Sequence, residues 1–165
     1  MKYLFVFGNT PDLAKAELEA VLTSLGLPYQ QIISEGKAFI VETQKELSSD
    51  IFEHLGGTVK VGLVIDNTDF SEFTGTKLEF GVSFLGAIDN TAWKQIYVLD
   101  KQIKEQLAQR GIKARFVLPV KGETELSSVV VAKQKLTEIS VYFDLSGNSH
   151  FAKTIWVQNF KDWGK

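Results

Sequence analysis

The sequence predicts an α+β fold built as two successive units, and three observations carry that prediction. Residues 1–66 alternate short apolar runs with helical spacing in the order strand, helix, strand, strand, helix, strand. A polar stretch over 66–77, rich in Thr, Ser and Asp, then breaks the pattern. Beyond it a different order follows: strand, long helix, strand, short helix and a closing hairpin. Hydrophobic residues make up 44% and aromatics 12% of the 165 residues, enough for a core in each unit.

Tyr3–Phe7 is a continuous apolar run, the mark of a central strand. Thr10 offers a helix N-cap with Pro11 at the first helical position. Leu18, Val21, Leu22 and Leu25 follow at helical spacing until Gly26 and Pro28 stop the helix. Tyr29–Ile33 and Lys37–Val41 read as a hairpin turned at Ser34-Glu35-Gly36. Ser48 or Ser49 can cap a short helix that buries Ile51, Phe52 and Leu55 and ends at Gly56-Gly57. Val59, Val61, Leu63 and Ile65 alternate, which predicts a closing strand with one buried face. This βαββαβ order is the split βαβ, ferredoxin-like arrangement.

In the polar stretch, Phe70 and Phe73 are expected to pin the chain down. Glu79–Gly86 is the next strand. A long helix runs from Asn90 or Thr91 to Arg110, with Trp93, Ile96, Tyr97, Ile103 and Leu107 inward and Lys101, Lys104 and Arg110 outward, and Gly111 ends it. Ala114–Leu118 is a strand, Glu125–Lys135 a shorter helix, and Glu138–Leu145 with His150–Phe160 the final hairpin. The expected boundaries are a first domain at 1–68, a linker at 69–78, a second domain at 79–160 and the start of another linker at 161–165. No internal repeat is evident.

Charge separates the two halves. Residues 1–100 carry about −7 and the last sixty-five about +5, although the total is only −2. The excess concentrates in 101–135, with eight Lys/Arg against three Asp/Glu. Such a local positive field draws polyanions. Lys113 and Arg115, two apart on a strand, share a face opposite Ile112, Ala114 and Phe116. Ser127 and Ser128 at a helix start form an anion seat or, alternatively, plain N-caps. Lys121, Lys133, Lys135 and Lys153 extend the candidate surface, or are solvated side chains. Phe151 and Trp156 offer rings for base stacking, or packing within the hairpin.

Most catalytic chemistry is excluded. There is no cysteine, hence no disulfide, thiolate metal site or Cys nucleophile. Neither glycine-rich phosphate motif occurs. His54 and His150 have no acidic neighbour at metal-ligand spacing, Glu17 and Glu19 point apart on their helix as solvated side chains, and Asp66 and Asp69 lack a basic or nucleophilic companion. No catalytic residue, cofactor, metal or membrane partner is expected, and a cytoplasmic location is. The apolar Phe70–Phe84 stretch supports the competing reading, a protein-interaction or regulatory module.

Several segments resemble a known family. Lys2-Tyr3-Leu4-Phe5-Val6-Phe7-Gly8-Asn9-Thr10-Pro11-Asp12-Leu13-Ala14-Lys15-Ala16-Glu17-Leu18 looks like the start of THUMP-containing tRNA guanosine-N2 methyltransferases. Leu55–Val61, Gly111–Val117, Leu126–Lys133 and Thr154–Phe160 are similar to later landmarks in the same order. The resemblance implies a ferredoxin-like domain followed by a THUMP domain that grips the acceptor stem and 3′ end of tRNA. It also implies a methyltransferase domain, in cis or in trans, because neither the S-adenosylmethionine loop nor the Asp/Asn-Pro-Pro-Tyr/Phe motif is present here. Gln134 stands where the family pattern suggests Asn.

Overall fold

The computed structural model describes residues 1–66, 70 and 73–158. The chain forms two compact units, residues 1–64 with 154 onward, and residues 65–153. The expected linker residue Asp69 and the segment 159–165 lie outside the described residues.

In the first unit, β1 (Lys2–Phe7) pairs antiparallel with both β3 (Ala38–Thr43) and β4 (Thr58–Ile65), and β2 (Tyr29–Glu35) forms the edge beyond β3. Helices α1 (Pro11–Ser24) and α2 (Ser49–Glu53) complete the βαββαβ order. Tyr3, Phe5, Leu18, Leu22, Phe39, Phe52 and Val61 share one core. Leu25, expected on the apolar stripe, is instead the exposed C-cap of α1. Thr10 and Ser48 hold the N-cap positions, yet neither side chain makes a capping bond. The expectation of one buried face on β4 also fails: Thr58 and Lys60, which alternate with the core residue Val61, are buried as well.

Glu17 and Glu19 are not merely solvated. Glu17 Oε1 accepts from the Gly57 amide at 3.1 Å, and Glu19 Oε2 from the Tyr29 hydroxyl at 3.1 Å. Each carboxylate ties α1 to a neighbouring element.

The second unit has strand order β8-β7-β5-β6, from β5 (Lys77–Gly86), β6 (Lys113–Phe116), β7 (Thr137–Phe143) and the first half of β8 (Ser149–Val157). β5 is parallel to β6 and β7, and β7 is antiparallel to β8. Helix α3 (Ala92–Gln109) lies against β5 and β6, placing Ile96, Ile103 and Leu107 on Leu78, Phe80, Ala114 and Ile139. Its C-terminus closes with bonds from Gly111 N to Ala108 O and from Ile112 N to Leu107 O. Gly111 supplies the positive φ of 75° that this closure requires.

The opposite face of the sheet is covered differently. Ser83 Oγ donates to Glu138 Oε2 at 2.7 Å and accepts from Leu126 N at 2.8 Å. Leu126 leads into α4 (Ser128–Gln134) and closes onto Gly81, where an added Cβ would strike the Leu126 side chain and stand 2.9 Å from Val117 O. Gly81 is therefore required by close approach of chain to sheet.

Phe70 and Phe73 do anchor their segment. Both pack on the second core, and Arg110 donates from Nη1 to Phe70 O at 2.8 Å and from Nη2 to Phe73 O at 2.9 Å. The Phe70–Phe84 stretch is thus not an open interface: Phe80, Val82 and Phe84 are buried. The last hairpin, assigned whole to the second unit from sequence, is divided, with β8 beginning in one unit and ending in the other. The reason is Trp156, whose ring lies 6.1 Å from Phe52 and whose Nε1 donates to Glu53 at 2.9 Å. Phe151 packs on the second core. Both rings are half-buried in this packing.

Candidate nucleic-acid interface

Register assigns each candidate residue to a face. Residues paired directly across a ladder project to the same side. Lys113 pairs with Lys77 and Arg115 with Glu79, and all four alternate with the buried Leu78, Phe80 and Ala114. They therefore share the side of Gly81 and Ser83, the side that Leu126 covers. That cover stops short: at Lys77, Glu79, Lys113 and Arg115 the face is exposed. β6 is also the edge strand of this unit.

Lys121, in the loop after β6, is exposed, as are Lys133 and Lys135 on α4. The eight cations of 101–135 thus divide into groups. Arg110 holds the Phe70–Phe73 backbone. Lys101 and Lys104 sit 5.4 Å and 5.9 Å over the rings of Tyr97 and Phe116, on the α3 side. Lys113, Arg115, Lys121, Lys133 and Lys135 make no ion pair among the described residues. Lys77, read from sequence as linker, joins them through its register with Lys113.

Three expectations are corrected. Lys153 pairs with Ile139 and so projects to the α3 side, away from Lys113 and Arg115. Ser127 is a plain N-cap, its Oγ accepting from Val130 N at 3.1 Å. Ser128 is only 6% exposed, so its hydroxyl is not displayed on the surface. Lys135 holds an unusual backbone, φ 51° and ψ 47°, closing α4 where glycine is the usual residue.

Two acidic groups escaped the sequence reading. Asp100 is fully buried on α3, four residues after Ile96 and three before Ile103, and neither carboxyl oxygen has a partner. Burial pushes its pKa up to about 8, so the group is largely protonated at neutral pH. Its place on the apolar stripe was the available signal. His150 does have an acidic partner: Nε2 lies 2.8 Å from Asp144 Oδ2. The bond to His150, with backbone bonds from Asn148 and Ser146, holds the Asp144 carboxyl below its usual range. The pair is six residues apart and meets only because the turn Asp144–Ser149 brings the strands together.

Among the described residues no helix is long and apolar enough to cross a membrane, and no group of three or more His, Asp or Glu could hold a metal ion. No protein-family model and no curated protein matches the chain. Solved structures do. The chain is similar to the crystal structure of PH1313 from Pyrococcus horikoshii, with a TM-score of 0.55, 11% identity, and 96% of this chain and 55% of that one covered. It is also similar to a crystal structure of a 4-thiouridine synthetase–RNA complex with bound ATP, with a TM-score of 0.53 at 12% identity, covering 96% and 42%. The chain spans about half the length of these neighbours. The likeness agrees with the expected fold class, a ferredoxin-like unit followed by a THUMP-type α/β unit.

Proposed function

We propose that this protein is an RNA-binding module that holds the acceptor stem and 3′ end of tRNA for a tRNA-modifying enzyme. The observation that carries the reading is the open β5–β6 surface, where Lys77, Lys113 and Arg115 stand on one face with a single acid, Glu79. Lys121, Lys133 and Lys135 are further exposed cations of the same unit. Exposed cations without carboxylate partners suit phosphate oxygens, which release counterions on binding. The RNA in the neighbouring 4-thiouridine synthetase complex supports the choice of polyanion. The sequence resemblance supports a methyltransferase domain as the catalytic partner, in cis or in trans, and the cysteine-free composition suits a cytoplasmic setting. The chain itself acts in binding, not catalysis.

Fluorescence anisotropy with labelled tRNA tests this. With about three to five phosphate contacts, affinity is expected to fall roughly 40- to 500-fold between 50 and 200 mM salt. A tRNA trimmed of its unpaired 3′ nucleotides is expected to bind less tightly. Absence of binding at 50 mM salt, or affinity indifferent to salt, contradicts the reading.

A further inference from the structure

Helix α3 carries an aromatic and cationic strip that the phosphate surface does not use. Trp93 and Tyr97, four residues apart, lie parallel, their planes 3° apart and centroids 6.4 Å apart. Trp93 is fixed by its Nε1, which donates to Pro119 O at 3.1 Å. Tyr97 meets Phe116 edge-on at 6.1 Å and 75°. Lys101 lies over Tyr97 and Lys104 over Phe116. The sequence places Tyr97 inward, yet it is 40% exposed and its hydroxyl makes no hydrogen bond among the described residues.

The position of the strip matters as much as its composition. Phe116 ends β6, the edge strand, and Pro119 follows it, so the rings border the same edge that displays Lys113 and Arg115 on the other face. The outer surface of α3 is positive: Lys94, Lys101, Lys104 and Arg110 stand against Glu105, while Asp100 is buried and largely protonated. An exposed tyrosine beside a half-buried tryptophan, set among cations, matches a single-stranded nucleic acid, whose bases stack on π faces while lysines take the intervening phosphates. Rings held in place by Pro119 and Phe116 lose little freedom on binding.

We propose that the Trp93–Tyr97 strip is a stacking platform for unpaired bases, with Lys101 and Lys104 swinging off the Tyr97 and Phe116 rings onto the adjoining phosphates. The strand reaches it around the β6 edge from Lys113 and Arg115. This assignment rests on the RNA-binding reading and names the part of the RNA that each surface takes.

The test compares two RNA probes, one stem with an unpaired 3′ tail carrying 2-aminopurine and the same stem blunt-ended. Tyr97→Ala is expected to weaken the tailed probe roughly five- to thirtyfold and to leave the blunt one unchanged. Tyr97→Phe is expected to retain wild-type affinity. Binding to wild type is expected to change 2-aminopurine fluorescence, and Lys101→Glu to weaken the tailed probe preferentially. Equal affinity of wild type and Tyr97→Ala for the tailed probe, or equal losses on both probes, overturns the platform. If Lys113→Glu with Arg115→Glu still abolishes binding in that case, the phosphate surface stands alone. If wild type binds neither probe, both assignments fall.

Discussion

The two faces of the β5–β6–β7 sheet share strands and differ in almost everything else. The α3 face is a dry aromatic and aliphatic layer, and its one buried acid, Asp100, is held largely protonated rather than paired. The α4 face has a polar interior, with Ser83, Glu138 and the Leu126 amide bonded in sequence, and beyond it a bare ledge of cations. Stability and charge are thereby separated onto opposite sides of one sheet. A binding surface can stay electrostatically uncompensated when the core that supports it lies on the other face.

The largest effect that can sharpen this contrast lies at Asp100. Its native pKa near 8 exceeds the usual 3.8, so the folded state binds more protons between those values and stability falls as pH rises through that window. The slope approaches about 1.4 kcal/mol per pH unit, on the order of 4 kcal/mol from pH 4 to 7. Denaturant melts of Asp100→Asn against wild type are expected to show that slope in wild type alone. Parallel pH profiles would show that the acid is not sealed in the α3 layer.

A smaller effect belongs to the α4 face. Gly81→Val drives a side chain into Leu126 and Val117 O and is expected to cost about 2–3 kcal/mol of stability by the same melts. A loss below about 0.5 kcal/mol would mean that the Leu126 segment is not seated on the sheet. Smaller still, Lys135→Gly relieves the left-handed backbone at the end of α4. It is expected to raise stability by about 1 kcal/mol.

Much of this architecture was legible in the sequence, and the departures are physical. Elements with one dominant signal were readable: the apolar run of β1, the periodic stripe of α3, and the glycines at 26 and 111 that end α1 and α3. Leu25 misled because an apolar residue at helical spacing can be the cap itself. Asp100 was hidden by its residue type, although its position on the apolar stripe was visible. The Asp144–His150 contact depends on a turn that brings distant sequence positions together. Lys113 and Arg115 could be placed on one face because strand alternation is local. Lys153 could not be related to them, because that relation runs through three strand pairings. Lys77 was missed because it ends a polar stretch that reads as linker, and its pairing with Lys113 is not visible in local sequence.

The proposed function puts RNA phosphate on the Lys113–Arg115 face and not on the Lys153 side. Anisotropy titrations of tRNA with Lys113→Glu/Arg115→Glu and with Lys153→Glu, at one fixed low salt, test it most directly. The expected result is a loss of a hundredfold or so in the double variant, against a change within about threefold for Lys153→Glu. Wild-type affinity in the double variant, or an equal loss from Lys153→Glu alone, would contradict the account.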